Sequence, residues 1–154
     1  MPKICVGRDD EDQEEHGMQG TGMIGKHLVG ENEEAHTANP IYFDIARPHV
    51  MGVFGKRGTG KSYSLGTIAE EIQDADISQN CSTIMIDSMG IYWSMKHPND
   101  QQNRALDQWG KKPENYDAEI YIPEGKVQRF EKQDMPYDDT FTINPGELTA
   151  SEWA

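Results

Sequence analysis

Gly55-Lys56-Arg57-Gly58-Thr59-Gly60-Lys61-Ser62 fits G-x-x-x-x-G-K-[ST] at every specified position. That pattern suits one chemistry, the binding of a polyphosphate. In a tightly curled loop, successive backbone N–H groups face one anion, and a helix starting where the loop ends adds its positive dipole end. Gly58 and Gly60 permit positive φ and remove Cβ atoms from the path of the phosphates. Lys61 can reach the β- and γ-phosphates as a point charge, and the Ser62 hydroxyl can bind Mg²⁺. Thr59 adds backbone contacts, and the cradle is drawn from the amides between Phe54 and Tyr63. Lys56 and Arg57 are extra cations at variable positions, which either touch phosphate or stay solvated. The residues expected to bind a nucleoside triphosphate are therefore Gly55, Lys56, Arg57, Gly58, Thr59, Gly60, Lys61, Ser62 and Tyr63.

Asp87 is the natural second element, a carboxylate at the end of an apolar run and able to hold a Mg²⁺-bound water. The competing reading is a solvated strand end. Ser62 and Asp87 are the metal candidates, and no residue is identified as catalytic. Asp87-Ser88-Met89-Gly90 also fits the D-x-x-G of guanine-nucleotide hydrolases. No N-K-x-D base reader accompanies it, and little chain separates it from Lys61, so that reading is poor. Tyr92, Trp93 and Met95 could stack on a base, but aromatics after a central strand more often fill a core. Arg47 and His49 could approach a neighbouring subunit's nucleotide; an arginine there is more often solvated.

Such a loop needs a strand before it and a helix after it. Val50-Met51-Gly52-Val53-Phe54 is almost wholly apolar, as for a strand covered on both faces. Ser62 to Asp74 has helical spacing, with Leu65, Ile68 and Ile72 on one face and Glu70, Glu71 and Asp74 free to face water. Ser82 to Asp87 reads as a second apolar strand after a polar connection. Strand, glycine loop, helix and strand make a βαβ unit of the α/β class. Ile41 to Phe43, Glu119 to Ile122 and Phe141 to Ile143 read as further short strands, and Asn103 to Trp109 as at most a short helix.

The flanks are weaker. Residues 9 to 15 hold six acids in seven positions, which should repel one another and stay solvated and irregular. A divalent-cation trap is the sharper reading, but the Gly turn and spacing of an EF-hand loop are missing. Residues 17 to 30 are glycine-rich and read as irregular apart from a short strand near Lys26 to Val29. The expected organisation is an acidic, glycine-rich segment over 1–39 and the ordered domain over 40–154. Thr149-Ala150-Ser151-Glu152 has the form of a capping box, two residues before the last residue, Ala154. A helix start without its helix reads as a chain cut short, against the alternative of a frayed tail.

Composition limits the rest. Acidic residues outnumber basic ones 27 to 14, for a net charge of −13, which argues against a surface built to grip nucleic acid or anionic membrane. Leu, Ile, Val and Phe number only 26 of 154 residues, enough for a modest core over part of the length. No window is long and apolar enough for a membrane span, and the N-terminus lacks the apolar core of a secretory signal. Cys5 and Cys81 form no CxxC pair and fit two lone thiols in a reducing cytoplasm better than one disulfide, and the five histidines have no metal-ligand spacing.

Ile41-Tyr42-Phe43, Arg47-Pro48-His49 and the run from Val50 to Ser62 resemble the nucleotide-binding start of the HerA/FtsK ATPases. Ile84-Met85-Ile86-Asp87 resembles that family's strand ending D-P-H-G-E-Y. The resemblance covers about residues 24 to 95 and is expected to continue to 154. It implies an incomplete RecA-like P-loop NTPase core, a parallel sheet with flanking helices, preceded by at most part of a small β-barrel. It also implies ATP and Mg²⁺ as ligands and a homo-oligomeric ring, typically a hexamer. DNA and a nuclease partner follow from the resemblance alone. Three departures bear on mechanism: Ile91 stands where the family has an acid, no apolar run ends in Asp-Glu, and no finger arginine is found. Phosphoryl transfer needs a residue that orients the attacking water, so these residues are expected to bind Mg·ATP and hydrolyse it negligibly. The alternatives are an ATP-binding switch or assembly module without turnover, and a small P-loop kinase, against which stands the lack of an Arg-rich lid.

Overall fold

The computed structural model describes residues 3–30, 36–149 and 151, which fall in two compact units, 1–86 and 87–154. The chain is α/β, with two small sheets and four α-helices among the described residues.

In the first unit, β1 (Ile4–Val6), β2 (Thr21–Val29) and β3 (His36–Asp44) form a mixed sheet in the order β1-β3-β2. β1 runs parallel to β3, pairing Ile4 with Ile41, and β2 runs antiparallel, pairing Thr21 with Asp44. Helix α2 (Lys61–Asp74) packs on β2, with Ala69 and Glu71 buried. Gly22 makes the close approach possible: a Cβ there would lie 2.9 Å from Glu71 Cβ, Ile45 Cδ1 and Phe43 Cε1. The core is correspondingly small, built on Phe43, Ala69 and Ala75.

The acidic run is not irregular but forms α1 (Asp10–His16). Asp9 caps it by accepting from Asp12 N at 2.9 Å, and Asp10, Glu11 and Asp12 occupy the first turn, where the helix dipole favours negative charge. Gly17 closes it in a positive-φ conformation. The glycine-rich stretch is likewise ordered as the nine-residue strand β2, because ladder bonds to β3 and the packing at Gly22 offset weak intrinsic propensity. The strand expected at Ile41–Phe43 exists and is longer.

The two apolar strands expected on either side of the glycine loop carry no ladder. Among the described residues neither 50–54 nor 82–87 pairs with a neighbour, and Val50, Phe54, Ile84 and Ile86 are each about nine-tenths or more exposed. Apolar character marks a residue that burial would stabilise, but a strand exists only where another strand receives its hydrogen bonds. The parallel sheet expected around the loop is thus not among the described strands. Glu71 was expected to face water and is instead buried at 7% exposure, because its carboxylate accepts from Met23 N of β2 at 2.7 Å.

The second unit holds a 3₁₀ turn over Tyr92–Lys96, α3 (Asn103–Trp109), β4 (Tyr121–Pro123), α4 (Val127–Lys132) and β5 (Asp139–Phe141). β4 and β5 pair in parallel, Ile122 opposite Thr140. Asp138 fixes that register: its carboxylate accepts from Ile120 N at 2.7 Å and from Lys96 Nζ, while Asp138 N donates to Ile120 O at 2.9 Å. β5 therefore starts two residues before the expected Phe141–Ile143. Ile122 and Phe130 are buried, and Phe130 meets Tyr137 edge to face at 6.2 Å. The capping box lies partly outside the described residues. No described helix is long and apolar enough to cross a membrane.

Candidate functional site

Residues 55–60 form an exposed loop that delivers the chain to the first turn of α2. Gly58 and Gly60 adopt φ of 81° and 86°, the left-handed region that glycine enters without strain. Gly60 is the N-cap and contributes no side-chain cap, and the first turn of α2 holds no acid. The positive end of a 14-residue helix therefore has no carboxylate from its own first turn against it. The loop is pinned internally on one carbonyl. Lys56 O accepts from Thr59 Oγ1 at 2.8 Å, from Lys61 Nζ at 2.8 Å and, at 3.4 Å, from Thr59 N. The Lys61 ammonium thus folds back over the loop. Gly55 faces Thr59, whose Oγ1 would lie 2.5 Å from a Cβ at that position. Lys56, Arg57, Ser62 and Tyr63 are exposed around it.

Asp87 organises a different feature. Its Oδ1 accepts from Met89 N at 3.2 Å and Gly90 N at 2.8 Å, and its Oδ2 from Ile91 N at 2.6 Å and Tyr92 N at 2.8 Å. Four amides converge on one carboxylate, which accounts for all of its usual acceptor positions. Tyr92, Trp93 and Met95 are half-buried, with Trp93 edge-on to His97. Among the described residues no group of three or more His, Cys, Asp or Glu side chains is placed to hold a metal ion.

Arg47 and His49 are engaged by this chain's own carboxylates. Arg47 pairs with Asp12 of α1, and His49 Nε2 lies 3.2 Å from Asp44 Oδ2. Asp44 was not singled out in the sequence, yet its side chain is fully buried and pairs with Arg8. Burial pushes the Asp44 carboxyl up, but hydrogen bonds from Arg8 and His49 outweigh it and hold the group below the usual carboxylate value. The only signal was an acid ending an apolar strand just before Arg47-Pro48-His49. A cavity of about 330 Å³ lies beside these pairs, lined by Arg8, Arg47, Ala46 and Ile77, away from the glycine loop. Both guanidinium groups at its wall already face carboxylates.

A family model described as the central domain of the helicase HerA matches residues 23–154, most of the chain. The chain belongs to the HerA family. No curated protein and no solved structure matches it. The matched span of this HerA-family chain contains the glycine loop, α2 and Asp87, whereas β1 and α1 lie ahead of it. Family membership puts the chain among HerA-like ATPases. It also suits nucleotide binding and oligomerisation as general properties.

Proposed function

We propose that this chain is the ATP-binding P-loop domain of a HerA-like DNA-translocating ATPase, working as a ring, a hexamer by family resemblance. The observation that carries the reading is the loop itself. Two glycines at positive φ lead into an uncapped helix, with the Lys61 ammonium folded over the turn. Amides at a helix start and a nearby cation are the donor set a triphosphate requires. Gly55 to Tyr63 would cradle the phosphates, with Lys61 on the β- and γ-oxygens. Oxygen donors suit Mg²⁺, and the Ser62 hydroxyl would hold it. Bound magnesium would neutralise phosphate charge; the residues here position, and none is assigned to orient an attacking water. A RecA-like core belongs to the same proposal, as do DNA, a nuclease partner and a cytoplasmic location.

A second reading, an ATP-driven switch or assembly module without turnover, draws on Ile91. An isoleucine there can neither bind a cation nor accept a proton, and its backbone N–H is committed to Asp87. Titration of ATP into the protein with Mg²⁺ and again with EDTA tests the shared premise. Binding at sub-millimolar nucleotide that weakens without Mg²⁺ and in Ser62→Ala is expected. Binding indifferent to both would remove the metal assignment, and no binding at millimolar Mg·ATP would overturn the proposal.

A further inference from the structure

Both arms of the glycine loop are tied to residues 8–23. On the stem side, Asp12 pairs with Arg47, and Arg8 pairs with Asp44, which in turn meets His49 just before Val50. Arg8 is itself fixed by donating to Gly17 O and Gln19 O, both at 2.8 Å. Gly20 O accepts from Ile45 N at 2.9 Å, which holds the end of β3. On the helix side, Met23 N donates to Glu71 at 2.7 Å and Gly20 N to Asp76 Oδ1 at 2.8 Å. Gly20 thus joins the two arms directly. The intervening residues 50–60 have few restraints of their own beyond the bonds to Lys56 O.

A flexible loop binds an anion only in its curled form, and apparent affinity falls with the fraction of molecules holding that form. Fixing the ends of such a loop removes much of the entropy of closing it. We propose that residues 8–23 form a clamp that sets the spacing of the two arms and so preorganises the loop for a triphosphate. Asp12, Arg47, Arg8, Asp44 and Glu71 are then positioning residues that touch no nucleotide. Most of the clamp, including Arg8, Asp12 and Gly20, lies ahead of the span matched by the family model. The inference rests on the nucleotide-binding reading above for its ligand, but its mechanical content can be measured separately.

The test is a charge-reversal cycle on the half-exposed pair, with Asp12→Arg, Arg47→Asp and the double variant compared with the parent protein. Two readouts are taken, Mg·ATP affinity and amide exchange of residues 45–60 by mass spectrometry. Each single variant should bind about threefold to fivefold more weakly, the range of an exposed ion pair, and should exchange faster over 45–60. The double variant should restore both. Single variants with parental affinity and exchange, or a double variant that restores neither, would overturn the clamp. If the parent protein binds no Mg·ATP, the functional proposal falls, and unchanged exchange over 45–60 would overturn the clamp by itself. Should Asp12→Arg fail to fold, Asp12→Ala, which removes the partner of Arg47, carries the same two readouts, with faster exchange expected and parental exchange contradicting the proposal.

Discussion

Gly60→Ala isolates the contribution of the loop's backbone to binding. Gly60 sits at φ 86°, and a Cβ built there meets nothing within 4 Å. The substitution therefore creates no clash, and its cost is that of a non-glycine residue held in the left-handed region, about 1–2 kcal/mol. The loop is exposed and supports no part of the core, so the strain is relieved by leaving the curled form rather than by unfolding. At about 1.4 kcal/mol per tenfold change, the competent population falls roughly fivefold to thirtyfold, and the apparent Kd for Mg·ATP rises by the same factor. Gly58, at φ 81° and equally free of neighbours, should behave alike. Gly125, which also has open space around it but no positive φ, is the control and should leave binding unchanged. Calorimetric titration at fixed Mg²⁺, with melting curves to confirm equal folding, reads the effect. A Gly60→Ala protein that binds within twofold of the parent would refute the claim that the curled backbone is the binding element.

Three further outcomes are expected. Phe130→Ala removes a buried ring from the second unit and should cost about 3–5 kcal/mol in denaturant unfolding of that unit; a loss under about 1 kcal/mol would contradict its place in the core. The Asp138 carboxyl is held below its ordinary value by the Lys96 hydrogen bond and by Ile120 N. A depressed folded-state pKa adds stability above the unfolded carboxylate value and loses it as pH falls through the folded one. Melting curves should accordingly decline on the acid side, and Asp138→Asn should flatten that decline; an equally steep decline in the variant would remove the assignment. Steady-state assays should find ATP turnover by these 154 residues well below the roughly 1 s⁻¹ at which ordinary enzymes begin, and turnover at that rate would contradict this expectation.

What the sequence made legible was local. The glycine loop and the helix at Lys61–Asp74 are specified within some twenty consecutive residues, as is α3, closed by Gly110 in the left-handed conformation. What it hid was nonlocal. Charge density over residues 9–15 argued for repulsion, but the Asp9 cap and the distant Arg47 reverse the outcome. Glycine in β2 argued against order until Phe43 and Glu71 closed around Gly22. Helical phase assigned Glu71 to water, although a backbone donor at Met23 drew it inside. The apolar runs at 50–54 and 82–87 show the opposite limit, for hydrophobicity marks a preference for burial and does not supply the pairing strand.

The Gly55–Ser62 loop, with the Lys61 ammonium over it, is proposed as a triphosphate cradle. Equilibrium titration of Mg·ATP against the parent protein and Lys61→Ala tests it most directly. Saturable binding to the parent at sub-millimolar nucleotide is expected, with a loss of at least about tenfold in the variant, the scale of a charged hydrogen bond. Equal affinities in the two proteins, or a parent that ignores millimolar Mg·ATP, would contradict it.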